Sequence, residues 1–140
     1  MKTFGSPAPG VDHTPRLAAY VVVHDDRGLV AAVRTSLGYF LPGGGALADE
    51  APEETVVREV REELAREVRM TGEAVEATQY FEVGGHHFRM GATFLGAEFS
   101  GGRTGPSEHR LVWVRPEHSD RFFHASHIWA AGCLERGGDA

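Results

Sequence analysis

The chain has 140 residues, 41% hydrophobic and 24% charged, enough for one domain with one hydrophobic core and too apolar for wholesale disorder. A net charge of −6 argues against a surface built to neutralise DNA or RNA phosphates, so no DNA partner is expected. An acidic site still takes polyphosphates when divalent metal ions supply the positive charge.

In chain order, residues 1–15, rich in Gly and Pro, read as a flexible arm ahead of a single domain over residues 16–136. The apolar run from Leu17 to His24 predicts a buried strand, stopped by the turn signal Asp25-Asp26-Arg27-Gly28, with Leu29–Arg34 as its hairpin partner. Tyr39-Phe40-Leu41 predicts a short strand cut off by Pro42 and three glycines. Pro52 to about Arg66 predicts a helix: Pro52 suits its first position, Glu53 and Glu54 suit its positive end, and Val56, Val57, Val60 and Leu64 form an apolar stripe. Strands follow around Val68–Val75, Thr78–Val83 and His87–Phe99, with Gly84-Gly85 as a hairpin turn. Residues 101–106 read as a loop, Leu111–Val114 as a last strand and Ser126–Arg136 as a terminal helix. Strands, one central helix, more strands and a helix imply an α+β fold rather than a βαβ repeat. No apolar run approaches membrane-spanning length and residues 1–15 lack a signal core, so the expected location is the cytoplasm, with no membrane partner. Cys133, the single cysteine, allows no intrachain disulfide and reads as a small buried hydrophobe.

Chemistry concentrates between Gly43 and Arg66. Glu59, Glu62 and Glu63 stand at i, i+3 and i+4, so their carboxylates share one helix face beside the valine stripe. Like charges gathered there repel, and a hard divalent cation with oxygen ligands removes that cost. Taken alone, an acidic helix face is more often solvated surface, and a Gly-rich turn often only a tight backbone path. The two occur together at fixed spacing: Gly44, five residues, Glu50, seven residues, then Arg58-Glu59-Val60-Arg61-Glu62-Glu63.

This arrangement, led by Leu41-Pro42-Gly43-Gly44-Gly45, resembles the Nudix box. Ala65 stands where the box has its second Gly, Arg66 where it has an apolar residue, and Leu47 where an acidic loop residue is common. The resemblance implies an α/β/α sandwich with a mixed sheet. It implies a Mg²⁺-dependent hydrolase, with Mn²⁺ as an alternative ion, that cleaves the pyrophosphate bond of a nucleoside diphosphate linked to another moiety. Carried over by position, Glu59, Glu62 and Glu63 would be metal ligands, joined by the Gly43 carbonyl. Arg58 would orient the helix carboxylates, and Glu50 would pair with Arg58, holding the Gly44 loop against the helix. The general base would be Glu59 or a later loop glutamate, Glu108. The choice leans to Glu59, because the length of the Glu108 loop leaves its register open, and Glu98 and Glu117 rank below both.

Tyr39, Phe40, Tyr80, Phe81 and Phe88 are candidates to stack on a nucleobase, although strand aromatics are more often core. Adjacent His86 and His87 point to opposite faces of a strand, and His124 and His127 read as solvent-facing or core-capping. No Pro lies between Pro52 and Pro106, so the downstream Pro of ADP-ribose hydrolases is missing, as are the NADH and coenzyme A signatures. A nucleoside triphosphate or dinucleoside polyphosphate is slightly preferred. The competing class is a non-catalytic Nudix module that senses a nucleotide; the complete box glutamates favour an enzyme. A homodimer stays open.

Overall fold

Six consecutive apolar residues, Ala18 to Val23, are all buried, which a strand covered on both faces requires. They fall in and just after β2 (Thr14–Val22), at the centre of the fold. The computed structural model describes residues 1–134. The remaining elements are β1 (Lys2–Phe4), β3 (Val30–Thr35), β4 (Gly38–Phe40), β5 (Gly43–Gly45), α1 (Pro52–Leu64), β6 (Val68–Val83), β7 (His86–Phe99), β8 (Leu111–Val114) and α2 (Ala125–Cys133), with a 3₁₀ turn over Pro116–Arg121. A five-stranded sheet runs β1-β6-β7-β2-β5, and a three-stranded sheet runs β4-β3-β8. The larger sheet is mixed: β2 lies parallel to β7 and antiparallel to β5, while β6 and β7 form an antiparallel hairpin.

Alternation along β2 assigns each face its helix. Ala18, Tyr20 and Val22 pack with Met90, Ala92, Phe94 and, from the α2 side, Ala130 and Leu134. Ala19, Val21 and Val23 pack with Val56, Val60 and Leu64 of α1. The result is an α/β/α sandwich. Val56 and Val60 are fully buried, each contributing roughly 1.5–3 kcal/mol. Burial of this valine stripe turns the adjoining glutamate arc toward β5.

Both ends of α1 are tied. Pro52 opens the helix, and the Glu54 carboxylate accepts the Ala51 N–H at 2.9 Å, the half of a capping box that needs no side-chain oxygen at Ala51. At the other end Ala65 adopts the left-handed conformation (φ 53°, ψ 43°) expected of the glycine it replaces. Arg66, at an apolar position of the box, places its guanidinium 4.9 Å from the centroid of the Phe99 ring, a cation–π contact.

Several expectations need correction. The N-terminal arm contains structure: Lys2–Phe4 pairs in parallel with Ala77–Gln79, Phe4 packs on Trp129 at 5.7 Å, and β2 begins at Thr14. The two predicted strands around residues 68–83 are one strand, since the ladder to β7 continues through Glu76 and Ala77 and a bulge between Met70 and Ala74 absorbs the irregularity. Cys133 is exposed, because α2 buries His127, Ala130 and Leu134 at helical spacing and Cys133 falls on another face. The predicted extension of α2 and of the domain to Arg136 lies outside the described residues. No helix among the described residues is long and apolar enough to cross a membrane.

Candidate active site

The box spacing brings Glu50 and Arg58 face to face across the turn between β5 and α1. Arg58 grips Glu50 with two bonds, Nε to Oε2 at 2.8 Å and Nη2 to Oε1 at 2.9 Å, the bidentate geometry in which Arg–carboxylate pairs are strongest. The same guanidinium donates to the Gly45 carbonyl at 3.0 Å and to Glu59 Oε1 at 2.8 Å. One side chain thus fastens loop, helix and a candidate metal ligand together. Glu50 also accepts the Leu47 N–H and the Thr55 hydroxyl. Chiefly the Arg58 hydrogen bonds, with help from Leu47, hold the Glu50 carboxyl down at about 2.

Beside this clamp lie the carboxylates. Glu63 Oε1 accepts the Gly43 N–H at 2.9 Å, so the backbone of β5 is bonded to the helix face. Burial, and then the negative charges of Glu59, Glu108 and Glu62, push the Glu63 carboxyl up to about 8 against the opposing Gly43 bond. Burial likewise raises Glu59, against its bond to Arg58. Glu62 is about half exposed, with Oε2 3.5 Å from Arg58 Nη1. The approach of loop and helix is close: a Cβ at Gly44 would stand 2.8 Å from Glu59 Oε2, and one at Gly43 would stand 2.2 Å from the Ala19 carbonyl. Only glycine fits either position without displacement.

Among the described residues, no three carboxylate, imidazole or thiol groups are already drawn together at ligand distance. The hydrogen bonds explain this, since Glu59 is turned to Arg58 and Glu63 to Gly43. The donor set nevertheless suits a hard cation: an all-oxygen group of excess negative charge, with one member made costly to ionise by its burial and then by the others.

The loop that follows β7 brings Glu108 to the same face. His109 N–H bonds to the Glu63 carbonyl at 2.9 Å, Glu108 N–H to the Glu62 carbonyl at a long 3.4 Å, and Thr104 N–H and hydroxyl both to the Ala65 carbonyl. These donors satisfy carbonyls that a helix C-terminus leaves unpaired. The Glu108 carboxylate is exposed, and its charge acts on Glu59 and Glu63. It forms no ion pair with the described residues. By contrast, Glu98 is paired with Arg69 in the sheet, Glu117 sits in the 3₁₀ turn, and Glu67 pairs with Arg61 at 2.7 Å.

Three residues at the site have no signature in the box. Thr55 anchors Glu50. Arg16 lies with its guanidinium over Gly45, on the same face of β2 as Ala18 and Tyr20, and alternation from the apolar run could have placed it there. His127 is fully buried and accepts the Leu41 N–H on Nδ1 at 3.1 Å, fixing the chain just ahead of the glycines. Burial lowers its basicity and takes that of His124 down to about 4, so both imidazoles belong to the core. Of the nucleobase candidates, Phe81 and Phe88 stack at 5.0 Å and remain half-buried, while Phe40 stacks on Phe123 at 5.5 Å.

Comparison with solved structures finds the same fold repeatedly. The E. coli ORF135 protein is 26% identical, with 96% of this chain and 99% of that one covered and a TM-score of 0.65. A MutT protein from Methanosarcina mazei is 22% identical, covering 79% and 83% of the two chains with a TM-score of 0.60. A UDP-X diphosphatase is 16% identical with a TM-score of 0.65; 89% of this chain is covered, but the match spans only 64% of that longer protein. The curated proteins contain no match. The family model described as NUDIX domain matches residues 14–131, which take in the glycine loop, the Arg58 clamp, the glutamate face and the Glu108 loop, and the chain belongs to the NUDIX family of pyrophosphohydrolases.

Proposed function

We propose that this protein hydrolyses the pyrophosphate bond of a nucleoside diphosphate linked to another moiety, with Mg²⁺ as its ion and a nucleoside polyphosphate as its preferred substrate. The observation that carries the reading is the convergence of Glu59, Glu62, Glu63 and Glu108 on one face beside the Arg58 clamp. Glu59, Glu62 and Glu63, with the Gly43 carbonyl, would hold Mg²⁺, which supplies charge neutralisation of the diphosphate and makes a water easier to deprotonate. The protein's own part is positioning. Arg58 holds Glu59 in place, the Gly43 N–H holds Glu63, and the loop bonds to the end of α1 hold the Glu108 backbone near enough for its charge to act on both. The half-buried Phe81–Phe88 pair offers an aromatic platform for the base, and Arg16 over Gly45 a cation for its phosphates.

In the reaction the oxygen of water bonds to phosphorus, the bridging P–O bond breaks, and the proton of water passes to a carboxylate. Glu108 suits that last role better than Glu59. The Glu59 side chain is tied to the Arg58 guanidinium at 2.8 Å and serves as a candidate metal ligand, whereas Glu108 makes no ion pair with the described residues and is exposed to water. Glu108→Gln keeps size and removes basicity, so kcat with a nucleoside triphosphate and saturating Mg²⁺ falls roughly 10²- to 10⁴-fold while Mg²⁺ affinity holds. Glu59→Gln weakens Mg²⁺ binding as well. A Glu108→Gln enzyme with the wild-type rate and pH profile returns the role to Glu59.

A further inference from the structure

Arg66 breaks the box pattern, and its surroundings give the break a use. Its guanidinium lies over Phe99, and Phe99 meets the edge of Trp113 at 6.1 Å. Arg66 and Trp113 wall a cleft of about 510 Å³ that Arg103, Arg110, Ser107 and Glu108 also line. A neighbouring hollow of about 370 Å³, which shares Glu108, His109 and Arg110 with the cleft, adds Arg34. None of these four arginines has a carboxylate at ion-pair distance among the described residues. In a chain of net charge −6, guanidinium groups gathered around one loop repel one another, and an anion bound between them removes that cost. Guanidinium geometry matches phosphate oxygens in particular. The cleft is of ligand size, and Glu108 joins it to the carboxylate face, since Glu108 both lines the cleft and acts on Glu59 and Glu63.

We propose that the Arg66–Arg103–Arg110 cleft binds a phosphate of the substrate beyond the diphosphate held at the glutamate face. The cleft then selects polyphosphorylated nucleotides over nucleoside diphosphate sugars. This rests on the hydrolase reading above and adds to it a second anion site that Glu108 borders. Arg66, held over the Phe99 ring, is positioned before the ligand arrives, which reduces the ordering cost of binding.

The test uses inorganic tripolyphosphate as the probe, titrated calorimetrically into the metal-free protein in the presence of a chelator. Arg66→Leu restores an apolar residue of the box type, and Arg103→Leu and Arg110→Leu remove the other cations. Arg27→Leu, in the exposed turn after β2, removes the same charge elsewhere. Each cleft variant binds tripolyphosphate about tenfold more weakly than wild type, the scale of one lost charge-assisted hydrogen bond, while Arg27→Leu stays within about twofold. With Mg²⁺, the kcat/KM ratio of a nucleoside triphosphate to a nucleoside diphosphate sugar falls about tenfold in Arg66→Leu and Arg103→Leu. Wild-type protein that fails to bind tripolyphosphate, cleft variants that bind it like wild type, or equal weakening by Arg27→Leu overturns the proposal. If no nucleotide is hydrolysed by wild type, the hydrolase reading fails separately, and the calorimetry still decides the cleft.

Discussion

Replacing Glu63 by Gln removes a buried charge yet keeps an oxygen that can accept the Gly43 N–H, so stability and activity should move in opposite directions. The folded protein holds the Glu63 carboxyl at about 8 against an ordinary 4.5. An acid raised in this way gives up no stability below pH 4.5, where both states are protonated. From there to pH 8 the unfolded chain has released its proton while the folded one retains it, and stability falls with rising pH. Integrated over that interval, the loss is about 3 kcal/mol at pH 7 and about 5 kcal/mol above pH 8. Glu63→Gln does not titrate, so without divalent metal its melting temperature exceeds wild type by about 10 °C at pH 7. The gap vanishes near pH 4. Adding Mg²⁺ raises the wild-type melt and narrows the gap, because the ion binds only the folded state, and Mg²⁺-dependent turnover of the variant drops ~10²-fold or more. Thermal melts from pH 4 to 9 with chelator and with Mg²⁺ provide the assay. Parallel stability curves for the two proteins across pH 4.5–8 would refute the assignment of a strained, buried carboxylate at this position.

Other substitutions probe neighbouring links. Gly44→Ala puts a methyl group within 2.8 Å of the Glu59 carboxylate; that side chain can swing away, so stability falls by less than about 1 kcal/mol. Its kcat falls about tenfold because the displaced group is a ligand candidate, and steady-state kinetics showing wild-type kcat would contradict this. Ala65→Gly relieves the left-handed backbone at the end of α1 and raises stability by up to about 1 kcal/mol, as read from the melting temperature; a lowered melt would show the strain to be absent.

Local spacing made the grouping of the candidate site legible in the sequence. Glu59, Glu62 and Glu63 at i, i+3 and i+4, and Glu50 eight residues before Arg58, fix which groups can meet once a helix forms. The same pattern left the conformation of Ala65 open, because an alanine there can end the helix differently from a glycine, and the structure puts it in the left-handed region. Features set by distant parts of the chain were not legible. Nothing local in Lys2–Phe4 announces a parallel partner at Ala77–Gln79. The burial of His127 and the exposure of Cys133 depend on which face of α2 meets the sheet. Loop length hid the placement of Glu108, which the bonds from residues 104–109 to the carbonyls of α1 decide. Arg66 looked like a lapse in a motif until Phe99 and Trp113 were beside it.

The parallel pairing of Thr14–Val22 with Phe88–Gly96 also bears on how the molecule reaches this state. The β6–β7 hairpin closes through a tight turn at Gly84-Gly85 and can form within microseconds. Joining β2 to it closes a loop on the order of 70 residues, whose entropy cost precedes any reward from contacts. The β5 glycines dock on β2, and α1 packs across β2 and β7, so the glutamate face cannot take shape until that slow closure has happened. A nascent chain that ends between residues 66 and 88 therefore carries every box residue but lacks the strand that pairs with β2.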